Sequence, residues 1–284
     1  MGPNSWQIRA HQIKIEKYKD CNGANFMNKD NLLEMSHIVK TYPGVRALDD
    51  VSFSVLKGEV HALMGENGAG KSTLMKILSG NTKADSGSIF FDGKEVHINS
   101  EMDSIDLGIS MIYQEVACIP TLSIMENIYC GRHMPKKRGL VDWAKVQTDC
   151  EALMKKLDLN YDPHRLMQTL SVADVQMIEI VKAISFDAKL IIMDEPTSAL
   201  TEAESEKLFG FIRNLKKNGI TVIIITHKLG EVFKIADRVT ILRDGKYVGM
   251  KNVSDIDRNE MISMMAGRDI KKIYPVKAFP VGAC

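Results

Sequence analysis

One nine-residue stretch restricts what this chain can fold into more than any other. Residues 65 to 73 read Gly65-Glu66-Asn67-Gly68-Ala69-Gly70-Lys71-Ser72-Thr73, a complete G-x-x-x-x-G-K-[ST] phosphate loop. An apolar run at 60–64 leads into it and a helix-like stretch at 72–78 leads out, the strand–loop–helix setting that the pattern requires. The glycines let the backbone curl until successive N–H groups face one anion-sized hollow, and the helix adds its positive end. In such a loop Lys71 reaches the β- and γ-phosphates of a nucleotide, and Ser72 turns its hydroxyl to Mg²⁺. The bland alternative, a glycine-rich turn ahead of a helix, leaves the strand and the Lys-Ser pair without a purpose.

The rest of the chain supplies a matching scaffold. Residues 32–40, 51–56, 59–63 and 88–91 read as strands punctuated by Pro43-Gly44, Lys57-Gly58 and Asp92-Gly93. Stretches 123–130, 142–157 and 172–185 have helical spacing, with no strong strand signal from about 117 to 186. Then strands at 189–194, 221–226, 238–242 and 247–250 alternate with helices at 202–217, 229–235 and 256–265. Alternation of this kind builds an α/β fold with a mostly parallel sheet covered on both faces. The expected domains are a loose extension at 1–30, a nucleotide-binding domain at 31–270 with a helical subdomain inserted at about 117–186, and a linker or tail at 271–284. Met27 is an alternative start.

The strand at 189–194 delivers Asp194 to its carboxyl end, where ligands bind in sheets of this type. Asp194 suits the Mg²⁺ shell, and Glu195 is placed to polarise an attacking water. Composition narrows the function further. Among 284 residues, Lys+Arg 37 against Asp+Glu 36 leave a formal charge of +1, without the basic excess that nucleic-acid binding needs. Five widely spaced cysteines offer no zinc spacing or disulfide framework and fit a reducing cytosol. No apolar run is long enough for a membrane span, and the polar N-terminus is unlike a signal peptide.

Further segments resemble the ATP-binding cassette family. Leu170-Ser171-Val172-Ala173-Asp174 lies 20 residues before Asp194, where that family carries its Leu-Ser-Gly-Gly-Gln signature. This form is similar to the first cassette of ribose- and galactose-type sugar importers. Gln114, His227 and Tyr42 fall where the family has its Q-loop glutamine, its switch histidine and the aromatic ring that stacks on adenine. The resemblance spans about 32 to 274. It implies a RecA-like P-loop NTPase core with an antiparallel β subdomain, binding ATP and Mg²⁺. Gln114, with Ser72 and Asp194, is then a metal contact, and His227 a γ-phosphate contact. The implied partners are a second nucleotide-binding domain, transmembrane permease subunits and, indirectly, an extracytoplasmic sugar-binding protein. The implied location is the cytoplasmic face of the membrane, peripherally.

In this family two cassettes pack head to tail, so Ser171 serves the partner's nucleotide. Val172 and Ala173 stand where glycines are usual and Thr201 where Asp is usual. The expectation is one active and one impaired site per assembly. Related chains carry two cassettes, whereas this one stops soon after Lys271-Lys272-Ile273-Tyr274-Pro275, which implies a shortened product or a stand-alone half. Competing readings are a soluble cassette acting on the ribosome or DNA, and a non-catalytic nucleotide-binding regulator. Neither basic arms nor a coiled-coil insert favours the first, and turnover with a partner separates the second. A small-molecule kinase would leave the signature segment idle.

Overall fold

The computed structural model describes residues 30–114, 118–131, 134–137 and 139–267. The expectations for the N-terminal extension up to residue 29, for Met27 and for the 271–284 tail lie outside the described residues. Two long strands, β1 (Asn31–Tyr42) and β2 (Val45–Leu56), form a hairpin across Pro43-Gly44. β3 (Val60–Met64) then enters the phosphate loop, and α1 (Lys71–Leu78) leaves it. Next come β4 (Ser86–Phe91), β5 (Lys94–Val96), α2 (Glu101–Leu107) and β6 (Ile109–Ile112). Strands β2, β1, β4 and β5, in that order, make a four-stranded antiparallel sheet.

The helical block follows as α3 (Ile124–Tyr129), a two-rung hairpin of β7 (Lys136–Lys137) and β8 (Leu140–Val141), α4 (Trp143–Lys156) and α5 (Val172–Ser185). After it come β9 (Leu190–Asp194), α6 (Glu202–Lys217), β10 (Thr221–Ile225), α7 (Leu229–Ile235), β11 (Arg238–Arg243), β12 (Lys246–Asn252) and α8 (Arg258–Ala266). A six-stranded sheet runs β12-β11-β3-β10-β9-β6, parallel except for β12. Its central strands are buried on both faces, so they read as unbroken apolar runs rather than alternating ones. Ile191, Met193, Val222 and Ile224 pack on one side with α5 and α6 residues such as Ile178 and Leu208. Leu190, Ile192, Ile223 and Ile225 pack on the other with Leu74 and Leu78 of α1 and with Met35 and Phe53 of the antiparallel sheet. Each such side chain removed from water contributes about 1.5–3 kcal/mol.

Five elements were not anticipated from the sequence. β5 and β6 are short and border Gly-rich or polar stretches, and α2 is defined by its cap rather than by periodicity. In α2, Ser100 accepts from the Asp103 amide while Asp103 accepts from the Ser100 amide. The β7–β8 hairpin likewise interrupts a block that read as wholly helical. The helix expected over 256–265 begins at Arg258, capped by Asp257, while Ile256 is buried ahead of it.

Candidate functional site

The site grows from the end of β3. Gly65 and Gly70 adopt φ values of 155° and 97°, and a Cβ at Gly65 would stand 2.3 Å from the Leu242 carbonyl oxygen. At Gly70 it would meet the Ala47 carbonyl oxygen at 2.7 Å. Glycine is therefore required there by both conformation and space. No side chain caps α1 at Gly70, which leaves the first amides of the helix to other partners. Lys71 is 7% exposed, and its ammonium donates to the Gly65 and Glu66 carbonyls at 2.8 and 2.9 Å. Burial pushes its pKa down, and the charges of Glu195 and Asp194 work against that.

β9 and β10 run parallel in register, which sets Asp194 beside Ile225. The Glu195 amide donates to the Ile225 carbonyl at 2.9 Å, and Glu195 itself sits at a φ of 45°, uncommon for a residue with a side chain. Burial first, and the neighbouring Glu195 charge second, raise the Asp194 pKa, while Lys71 lowers it. His227 Nδ1 lies 2.8 Å from Glu195 Oε1. The loops carrying these two residues are braced by Glu231, which accepts from the Thr197 hydroxyl and, at 3.0 Å, from the Thr226 hydroxyl. Lys228 donates to the Thr197 carbonyl at 3.1 Å.

A cavity of about 560 Å³ opens at this edge of the sheet, walled by Tyr42, residues 67–73, Asp194 and Glu195. Gly65 and Glu66 lie behind the wall and contribute through their carbonyls to Lys71. Gln114 is exposed and stands outside the wall, and Ser171 is exposed at the N-cap of α5. Sequence reasoning missed Val45, Arg46, Ala47, Ile225, Asp244 and Gly245, which complete the cavity. Only a turn signal marked Asp244-Gly245. Its function in the wall depends on the β1–β2 hairpin folding over it, with the Asp49 amide donating to the Gly245 carbonyl at 2.7 Å.

Parallel strands that converge a phosphate loop and an acidic pair on one cavity define the class of P-loop nucleotide-binding domains. The profile of the ABC transporter family matches residues 48–198, and the chain belongs to that family. It is 52% identical over 249 residues to a Halalkalibacterium halodurans protein named for ribose, galactose and methyl galactoside import, covering 87% of this chain and 48% of that protein. A galactose/methyl galactoside import ATP-binding protein of Clostridium tetani is 49% identical over 249 residues, covering 87% of this chain and 49% of its own length. The chain thus spans about half the length of the curated relatives it matches. Among solved structures, an ATP-binding cassette of an ABC transporter in its ADP conformation superposes with a TM-score of 0.72 at 28% identity, covering 86% of this chain and 98% of that one. A nucleotide-free cassette superposes equally well, with a TM-score of 0.72 at 27% identity, covering 86% and 99%.

Proposed function

We propose that this chain binds and hydrolyses ATP to energise import of a ribose- or galactose-like monosaccharide. In this reading it sits peripherally on the cytoplasmic face of a membrane, beneath permease subunits that receive sugar from an extracytoplasmic binding protein. No helix among the described residues is long and apolar enough to cross a membrane. The observation that carries the proposal is the meeting of Lys71, Asp194 and Glu195 at one cavity, with His227 hydrogen-bonded to Glu195. The sugar is supported by relatives named for ribose, galactose and methyl galactoside import.

The amides of 67–73 and the Lys71 ammonium hold the triphosphate, and the Tyr42 ring stacks on adenine. The Lys71 ammonium exchanges its carbonyl partners for phosphate oxygens when nucleotide enters. Glu195 draws a proton from the attacking water, and His227 orients Glu195 and meets the γ-phosphate. The donor set fits Mg²⁺: the Ser72 hydroxyl and the Asp194 carboxylate are hard oxygen ligands on one wall, and the raised Asp194 pKa marks a carboxylate that a cation would relieve. Bound there, the ion would neutralise phosphate charge. Among the described residues no cluster of three acidic, His or Cys side chains is found, and phosphate and water oxygens would complete the shell of an ion bound there. The family resemblance adds Gln114 to this set, although its side chain is exposed and outside the cavity wall here.

The inserted helical subdomain, about 117–186 within a 31–270 nucleotide-binding domain, offers Ser171 to a second nucleotide-binding domain. Val172, 46% exposed, puts a side chain on that surface, in keeping with an impaired partner site. Permease and binding protein co-expressed with the chain, reconstituted in vesicles, should take up labelled ribose or galactose only with Mg-ATP. Folded protein that takes up no ATP in calorimetry overturns the proposal at its root.

A further inference from the structure

Asp174 is one turn inside α5 from Ser171, and three segments converge on it. The Lys207 ammonium of α6 donates to Asp174 Oδ1 at 2.6 Å, and the Tyr161 hydroxyl, from the loop after α4, donates to the same oxygen at 2.5 Å. The Asp174 amide donates to Ser171 Oγ at 3.2 Å, closing the cap. The Asp174 side chain is 15% exposed against 53% for Lys207, so the carboxylate is held inward while the ammonium reaches over it from solvent. Burial works against the Asp174 charge, yet the bonds from Lys207, Tyr161 and Ser171 keep its carboxyl below the ordinary range. The bond to Asp174 in turn raises the Lys207 pKa. Glu204, a turn before Lys207, adds negative charge nearby. Among the described residues Lys207 is the one cation paired with Asp174.

A carboxylate so close to Ser171 is at odds with the role given to Ser171 above. Like charges brought together across an interface oppose association, and a triphosphate carries several. We propose that Lys207 is a positioning residue for the second nucleotide site: it cancels the Asp174 charge and fixes the Ser171 turn, so that this surface accepts a triphosphate held by another cassette. The pairing has a mechanical side too. α6 begins directly after the loop that carries Glu195, with Thr201 as its cap. The Lys207–Asp174 bond therefore ties the Ser171 turn to the chain's own hydrolytic loop. This inference rests on the reading of Ser171 as a residue offered to a partner's ATP.

The test uses the full chain carrying Glu195→Gln, which keeps Mg-ATP bound without turning it over. Sedimentation velocity reads ATP-dependent pairing of two copies, calorimetry reads ATP affinity at the chain's own phosphate loop, and thermal melting checks the fold. Lys207→Met should weaken pairing about tenfold or more, with ATP affinity unchanged, and the loss should shrink as salt is raised. Lys207→Arg should pair like the parent. Lys207→Met with Asp174→Asn, which removes both charges, should restore pairing to within about threefold of the parent. Pairing by Lys207→Met equal to the parent, or a double variant as weak as the single one, overturns the role of Lys207 alone. A parent that binds Mg-ATP yet never pairs overturns the reading of Ser171 and this proposal with it.

Discussion

Lys71 is a charge held in a nearly closed place by backbone oxygens. Two carbonyls of its own loop accept hydrogen bonds from it, and two carboxylates, Glu195 and Asp194, oppose the effect of burial. Those bonds hold the ammonium against its own loop until a phosphate takes their place, so binding exchanges one set of oxygen acceptors for another. Lys71→Ala should weaken ATP binding roughly 10- to 100-fold, the range for a charged hydrogen bond, as measured by calorimetry. Glu195 belongs to the same cavity, and in the proposed mechanism it is the base rather than a binding group. Glu195→Gln keeps the shape and removes the base, so ATP affinity should hold while turnover falls about 10²- to 10⁴-fold in a phosphate-release assay. Equal losses of affinity and turnover would assign Glu195 to binding. Lys71, Asp194 and Glu195 were legible from the sequence because each sits at a fixed offset from an apolar strand. Arg46 and Asp244 were not, since they reach the cavity only when separate hairpins meet there.

Helix caps explain one departure that looked functional at the level of sequence. Thr201 stands where related cassettes usually have Asp, and in the fold it caps α6, accepting from the Glu204 amide at 3.3 Å while Glu204 accepts from the Thr201 amide and hydroxyl at 3.0 and 2.8 Å. Thr and Asp both serve at that position, so the local structure is preserved. Thr201→Ala should cost about 1 kcal/mol of stability, and Thr201→Ser, which keeps the hydroxyl, close to nothing, in urea titrations. Ser171 is likewise a cap, for α5, which makes its structural and proposed interface roles simultaneous rather than rival. The strands and helices near the site were readable because their periodicity is strong. β6, the edge strand beside β9, was hidden because four residues are too few for a pattern, and its pairing with β9 decides its conformation.

Across the whole molecule, the two sheets are joined by apolar packing and by Glu59, which accepts from the Leu56 amide of β2 at 2.8 Å and anchors a buried polar network in the six-stranded sheet. Burial alone would raise the Glu59 pKa, but hydrogen bonds and charges from His61 and Arg238 outweigh it and bring it to about 2, from 4.5. Arg238 donates to both Glu59 oxygens at 2.7 and 2.8 Å, and His61, fully buried, bridges Glu59 and the Thr240 hydroxyl. A carboxylate whose folded pKa lies below its unfolded one stabilises the fold above the unfolded value and loses that contribution as pH falls. Stability should therefore drop between about pH 4.5 and pH 2, with Glu59→Gln less stable at neutral pH and flatter across that window in acid-unfolding curves. Burial also lowers the His61 pKa, which adds to acid sensitivity below 6.5, because the unfolded chain takes up that proton first.

The sequence by itself determined the glycine pattern of the phosphate loop, the acidic end of β9 and the alternation that makes a parallel sheet. Those depend on neighbours within a few residues, and local spacing is what a sequence records directly. The tertiary structure alone decided the rest of the cavity wall, the His227–Glu195 hydrogen bond, the Lys207–Asp174 pair and the Glu59 network, whose partners lie tens to hundreds of residues apart. Such contacts exist only once strand order and register are set, because burial of both sheet faces, not any local preference, brings those side chains within hydrogen-bonding reach.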